Sequence, residues 1–340
     1  MRYCISCMNI LNDDEDMCRF CGFDKSDYVI KMQYISAETM LENRYYIGRD
    51  LFADPFGVTY IAFDTIMERK VLIRQLLIDK NSTIYCVPDE TEKVKAFVQR
   101  NSFLDFYKRM AVMELPAVPV IYTCKVAGSQ QVLAVREYFE RMDLDTYWRQ
   151  HGPMSYQDAA ALLYPVIQTV KMLHDNNMYH GNISASNIYM DANRKLYLDE
   201  FPGIQIEYKK KISGNNEMDT DVTNYRNDIL NILLVLVSMV NNTGEKVTAQ
   251  MFDNNYLKNE SDPVPYDLRK YIYKVFDDKK MEYGVSADDL LYEIYAESPK
   301  GVYKEPERIP DELQNYVKEK NITIYKYDSS TQITESNIRE

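Results

Sequence analysis

The sequence predicts an α+β fold: a β-rich half with one long helix, then a mainly helical half, with a small cysteine module in front. Three observations predict it. Four of the six cysteines lie within the first 21 residues as two C-x2-C pairs. Between Arg44 and Leu76 follow three short runs rich in Val, Ile, Tyr, Phe and Thr. Beyond Ser155 the apolar residues recur at helical spacing, and an apolar run fills Ile229–Val240.

The cysteine pairs are Cys4/Cys7 and Cys18/Cys21. Each pair makes a tight turn that aims two sulfurs at one centre, and Gly22 eases the backbone after the second. Four thiolates suit a closed, structural zinc site. Rubredoxin-type iron could use the same ligands, whereas disulfides are disfavoured in a reducing cytoplasm. A module of about 25 residues has too little core to fold alone, so metal supplies most of its folding energy. Its central loop, Asp13-Asp14-Glu15-Asp16, repels phosphate, which favours a protein contact or a simple cap over nucleic acid. Residues 1–26 are assigned to this zinc ribbon and 27–40 to a linker.

In the β-rich half, Tyr45–Ile47, Gly57–Phe63 and Lys70–Leu76 read as strands. Glu92–Met113 has helical character, and Val118–Lys125 and Gln131–Tyr138 read as two strands joined at Ala127-Gly128-Ser129. The helical half opens with Ser155–Asn176, where Ser155 is the N-cap and Ala159, Leu162, Leu163, Val166, Ile167, Val170 and Leu173 form the stripe. Pro165 lies inside it and predicts a kink. Ile229–Val240 reads as a buried helix, with further helices near Asp267–Phe276 and Ser286–Tyr295. Cys86 and Cys124 stand alone and read as buried structural thiols. Residues 299–340 are polar and unpatterned, a mobile tail.

Composition excludes several classes. With 340 residues, 46% of them hydrophobic, the chain buries a substantial core and is not disordered. A net charge of -12 argues against nucleic acid or an anionic membrane as partner. The apolar run Ile229–Val240 is too short to span a bilayer and is interrupted by Asn231. Met1-Arg2-Tyr3-Cys4 begins no apolar signal region, so a cytoplasmic location is expected.

The most specific text is His180-Gly181-Asn182-Ile183-Ser184-Ala185-Ser186-Asn187, followed by Leu198-Asp199-Glu200-Phe201. It has the spacing of the kinase catalytic loop H-R-D-x-x-x-x-N and of D-F-G some twenty residues on. Arg44-Tyr45-Tyr46-Ile47-Gly48, Pro55–Asp64 and Val71-Leu72-Ile73-Arg74-Gln75 match, in order, R-Y-x-I-G, G-x-G-G-F-G-x-T-Y-x-A-x-D and V-A-I-K-E. Val135-Arg136-Glu137-Tyr138 matches the hinge segment V-M-E-Y. The chain resembles the bacterial, eukaryotic-like Ser/Thr protein kinases, in particular a group with a four-cysteine ribbon in front. The resemblance implies a bilobal protein-kinase-like fold over residues 41–298, with a β-rich N-lobe at 41–140 and a helical C-lobe at 141–298.

It also locates the departures. Phe52 and Asp54 stand at the first two glycines of the phosphate loop, and only Gly57 remains, where an ordinary β-turn is a better account than a nucleotide grip. Arg74 stands at the lysine that holds the phosphates, Arg100 near its glutamate partner, and Leu72 at the alanine beside adenine. Asn182 stands at the general base and has no proton-accepting carboxylate. Glu200 stands at the phenylalanine of D-F-G, where it could pair with Arg136, and no A-P-E triplet precedes Asp228. Asn187 and Asp199 retain the family's two metal-ligand positions, the argument for a magnesium–ATP complex, although both residue types also cap loops. His180 is expected to pack, and Asp228 to anchor the catalytic-loop backbone. The resemblance therefore implies a pseudokinase that works through protein partners, without nucleic acid or a membrane span. The alternative is an active or weakly active Ser/Thr kinase with a rearranged site.

Overall fold

The computed structural model describes residues 2–12, 15–29, 34–54, 57–77, 90–127, 131–139, 142–199, 201, 218–241, 247–248, 264–276, 286–295, 303–304 and 326–327. Two units divide the chain: Met1–Ala111 with Pro119–Tyr138 and Glu207–Ser213, and Val112–Val118 with Phe139–Ile206 and Gly214–Glu340. The fold is protein-kinase-like, with a curled sheet in the first unit and helices in the second.

The first unit begins with a hairpin, β1 (Arg2–Tyr3) on β2 (Ile10–Leu11). Its main sheet holds β3 (Met40–Leu41), β4 (Tyr45–Asp54), β5 (Gly57–Asp64), β6 (Arg69–Leu76), β7 (Ile121–Ala127) and β8 (Gln131–Glu137). The six strands run in the order β3-β4-β5-β6-β8-β7. The sheet curls until its two ends meet, where Lys125 of β7 pairs with Glu42 beside β3 and lies over the Tyr45 ring. Alternation puts Tyr45, Ile47, Val58, Tyr60, Val71, Ile73, Leu133 and Val135 in one core. At the start of β4, Arg44 forks onto the buried Asp64 carboxylate at 2.7 and 2.8 Å, which holds Asp64 below its usual pKa. Helix α1 (Glu90–Met113) begins two residues earlier than its expected start. The strand expected from Val118 starts instead at Ile121.

The second unit is built on α2 (Leu144–His151), α3 (Tyr156–Asp175), α4 (Met218–Val240), α5 (Tyr266–Phe276) and α6 (Ala287–Tyr295). Ser155 caps α3 as expected, its hydroxyl accepting from Asp158 N–H at 3.1 Å. Ser286 caps α6 in the same way. The apolar run is the buried end of a helix that starts eleven residues earlier, at Met218. Ile229, Ile232, Leu233 and Leu236 are fully buried in the core that this helix shares with α3 and α5, whereas Leu234 is only half-buried. It faces a cavity of about 120 Å³ with Trp148, Ile183 and Val247. The sequence reading missed a three-stranded sheet of β9 (Met142–Asp143), β10 (Ile188–Met190) and β11 (Leu196–Leu198). Of the expected tail, two short strands are described, Tyr303–Lys304 paired with Lys326–Tyr327.

Candidate functional site

The four cysteines converge. Their sulfurs all lie within 4.8 Å of one another, with Cys4–Cys21 and Cys7–Cys18 at 3.7 Å. A tetrahedron with zinc–sulfur bonds of ~2.3 Å has edges of ~3.8 Å, so the cluster already has nearly the right size. Backbone and side chain prepare it further. Ser6 N–H points at Cys4 Sγ and the Asn9 amide at Cys7 Sγ. Burial pushes the Cys4 thiol up to about 12, while at Cys18 the backbone N–H groups of Cys21 and Phe20 outweigh burial and bring it down to about 7. A bound metal would displace the remaining protons. The donor set fits zinc, and Cys4, Cys7, Cys18 and Cys21 would hold it with no open position. After each pair the chain turns through a left-handed residue: Gly22 at φ 70° in the second, as expected, and Met8 at φ 58° in the first. Cys124, by contrast, is half-buried and its thiol is pushed up to about 12, consistent with an inert structural role. Cys86 lies outside the described residues.

In the sheet, Arg74 is buried and turned back on its own strands. Its guanidinium lies 5.7 Å from the centre of the Phe52 ring and 3.4 Å from Thr59 Oγ1. The surviving Gly57 is explained by the same contact. A Cβ there would lie 2.8 Å from Arg74 Nε and 2.5 Å from the Gln75 carbonyl oxygen. Gly57 therefore makes room for Arg74, a role that neither the turn nor the phosphate-loop reading supplied. The pairing of β4 with β5 continues to Asp54↔Gly57. Pro55, Glu200 and the Asp54 side chain lie outside the described residues, so the expected Arg136–Glu200 pairing does too.

In the second unit, the loop that has the spacing of a kinase catalytic loop is held from below by Asp228, as expected. This fully buried carboxylate accepts N–H groups of His180 and Gly181 at 2.8 Å each, and lies 3.2 Å from His174 Nε2. Gly181 supplies the left-handed turn, φ 77°. His180 is fully buried, as expected of a packing residue. Its Nδ1 accepts from Asn182 N–H, which leaves Nε2–H to donate to the Asp199 carbonyl at 3.0 Å. Burial lowers its pKa despite the Asp228 charge, so the ring is neutral.

Asn187 is spent inside the loop. Its Oδ1 accepts from Ser184 N–H at 2.8 Å and from the Ser184 hydroxyl at 3.1 Å, and its Nδ2 donates to the Asn182 carbonyl. This is the capping behaviour that asparagine shows in turns. Asp199 is buried beside it, with its N–H on the Asn187 carbonyl at 3.2 Å. Asn182, at the base position, is exposed. Within the second unit the structure brings His180, Asn182, Asn187 and Asp199 together, and within the first it packs Arg74 on Phe52 and Thr59. Among the described residues, no helix is long and apolar enough to cross a membrane.

Comparison with known proteins agrees with this geometry. Residues 88–222 match the model of the protein tyrosine and serine/threonine kinase family. The serine/threonine-protein kinase PrkC of Bacillus subtilis is 24% identical over 164 residues, 47% of this chain and 23% of that protein. Serine/threonine-protein kinase PknA of Nostoc is 25% identical over 156 residues, 45% of this chain and 26% of that protein. The chain thus spans about a quarter of these relatives. The apo form of PpkA-294 superposes with a TM-score of 0.53 at 15% identity, covering 76% of this chain and 95% of that one, a likeness of fold.

Proposed function

The chain carries a protein kinase-like domain with homologues among bacterial Ser/Thr kinases, and we propose that it is a pseudokinase that transfers no phosphate and acts by binding protein partners. One observation carries the reading. The cation expected to hold the nucleotide phosphates is instead packed on Phe52 and Thr59 over Gly57. Releasing it would give up those contacts before any phosphate could be bound. The loop side agrees, since Asn182 cannot take a proton and Asn187 is engaged within its own turn. Positioning and electrostatics make up nearly all of phosphoryl-transfer catalysis, so losses at several components multiply.

The ribbon is proposed to hold one structural zinc, and the whole protein to work in the cytoplasm without nucleic acid. The second reading, a weakly active kinase with a rearranged site, draws on the retention of Asn187 and Asp199 side by side. A thermal-shift titration with ATP and Mg²⁺ or Mn²⁺ separates the two, because a ligand that binds only the folded chain raises its melting point. No shift is expected. A saturable shift, with transfer from radiolabelled ATP that vanishes in Asp199→Ala, would establish the second reading instead.

A further inference from the structure

The ribbon is not a free module on a tether. Strand β4 breaks its register with β5 between Ile47 and Asp50, the irregularity of a bulge. A bulge releases backbone groups from the ladder, and Arg49 N–H turns to the Ile5 carbonyl at 2.7 Å. Ile5 lies inside the first cysteine turn, between Cys4 and Cys7. Gly48 stands at the bulge because a Cβ there would collide with Met8 Cε, the Ile5 carbonyl oxygen and Ile61 Cγ2. The Arg49 side chain adds a bond to Ser6 Oγ at 3.1 Å and lies over the Phe23 ring.

The contact is apolar as well as polar. Met8 is buried with Tyr46 and Ile61, and Tyr3, Leu51, Phe63 and Tyr138 pack around them. Tyr3 stacks on Phe63 with ring centres 4.7 Å apart. Lys25 and Arg2 of the ribbon both reach Glu38, just before β3. Met8 does this from a left-handed backbone that costs a non-glycine residue free energy, whereas Gly22 sits at the equivalent place in the second turn. A side chain at Met8 costs the turn strain and gives the sheet an anchor.

We infer that the metal site is a brace for the β4–β5 hairpin: metal holds the Cys4–Cys7 turn, the turn fills the β4 bulge, and loss of metal loosens the strand pair that carries residues 52–57. This rests on the proposal that the four cysteines bind metal. The hairpin is then metal-responsive, and a signal that strips the ribbon is read in the sheet.

Hydrogen exchange on the full chain tests it. Removing zinc with a chelator under reducing conditions should speed exchange of amides in Tyr45–Asp54 and Gly57–Asp64 on the order of 10-fold or more, with Tyr156–Asp175 unchanged. A second arm separates docking from metal. Met8→Gly relaxes the turn but removes the anchor, so it should retain about one equivalent of zinc, as a closed four-cysteine site does, and still loosen the hairpin. Unchanged hairpin exchange in the stripped protein, or in a zinc-loaded Met8→Gly chain, overturns the brace. A chain that purifies without metal and takes up none overturns the metal reading and the metal dependence together. The Met8→Gly arm then still decides whether the turn supports the strand.

Discussion

The β4–β6 face and the His180–Asp199 loop both differ from the kinase motifs they resemble, but in opposite ways. In the sheet the residues at the motif positions differ, and they pack on one another. Arg74 lies on Phe52, and Gly57 gives it room. In the loop the buried His180, Asn187 and Asp199 match the motif, and the exposed Gly181 and Asn182 stand where it has Arg and Asp. His180, Asn187, Asp199 and Asp228 are all buried and bonded within the loop or beneath it, while Asn182 is exposed. The lesson is that survival of a catalytic-looking residue is weak evidence for catalysis when that residue also holds the backbone. The family match, which begins at residue 88, covers the second kind of region and starts downstream of β4–β6.

The largest expected effect tests the framing role of the loop. Asp228→Ala leaves the His180 and Gly181 N–H groups without their acceptor, and should cost about 3–5 kcal/mol in chemical denaturation. A loss below about 1 kcal/mol would mean that the loop is not held from below and that its residues survive for another reason. Next comes the sheet. Gly57→Ala places a methyl group against Arg74 and the Gln75 carbonyl and should cost about 1–3 kcal/mol. Repeating it in an Arg74→Ala background should recover at least about 0.5 kcal/mol, since the two residues touch. Strict additivity would show that Gly57 is not there for Arg74.

A smaller effect is read from pH. The buried His180 has a lowered pKa, so the native state resists the proton that the unfolded chain takes up below about 6.5. The unfolded state then binds more protons, and stability falls as pH drops below that value, by at most ~1.4 kcal/mol per pH unit for one group. His180→Asn should flatten this slope in denaturant titrations between pH 7 and 5, and an unchanged slope would place the titration elsewhere. The smallest effect is on activity. Asn182→Asp restores the base but not the phosphate-binding face, so transfer from radiolabelled ATP should stay at background. Rescue by that single change would show that the Arg74 arrangement is no obstacle.

Local patterns were legible where one interaction type fixes the outcome. The cysteine spacing located the thiolate cluster, Ser155 located the start of α3, and the loop spacing placed Asp199 beside His180. The strands β9 to β11 were not legible, because two or three residues carry no periodic signal. Leu234 lies between Asn231 and Ser238 at helical spacing, the only mark in the run of the less buried face, and its own apolar side chain does not distinguish it from its fully buried neighbours.

By itself the sequence determined the chemistry at hand: four thiolates at metal-binding spacing, an amide in place of a base carboxylate, an arginine in place of a lysine. Those are properties of residue type and spacing, and folding does not change them. Only the tertiary structure decided what the residues are committed to. Gly48 reads as one glycine in a strand until the Ile5 carbonyl and Met8 are found against it, and Gly57 reads as a relic until Arg74 is found over it. Such contacts join residues far apart in the chain, and their cost or gain depends on distances that no local pattern encodes.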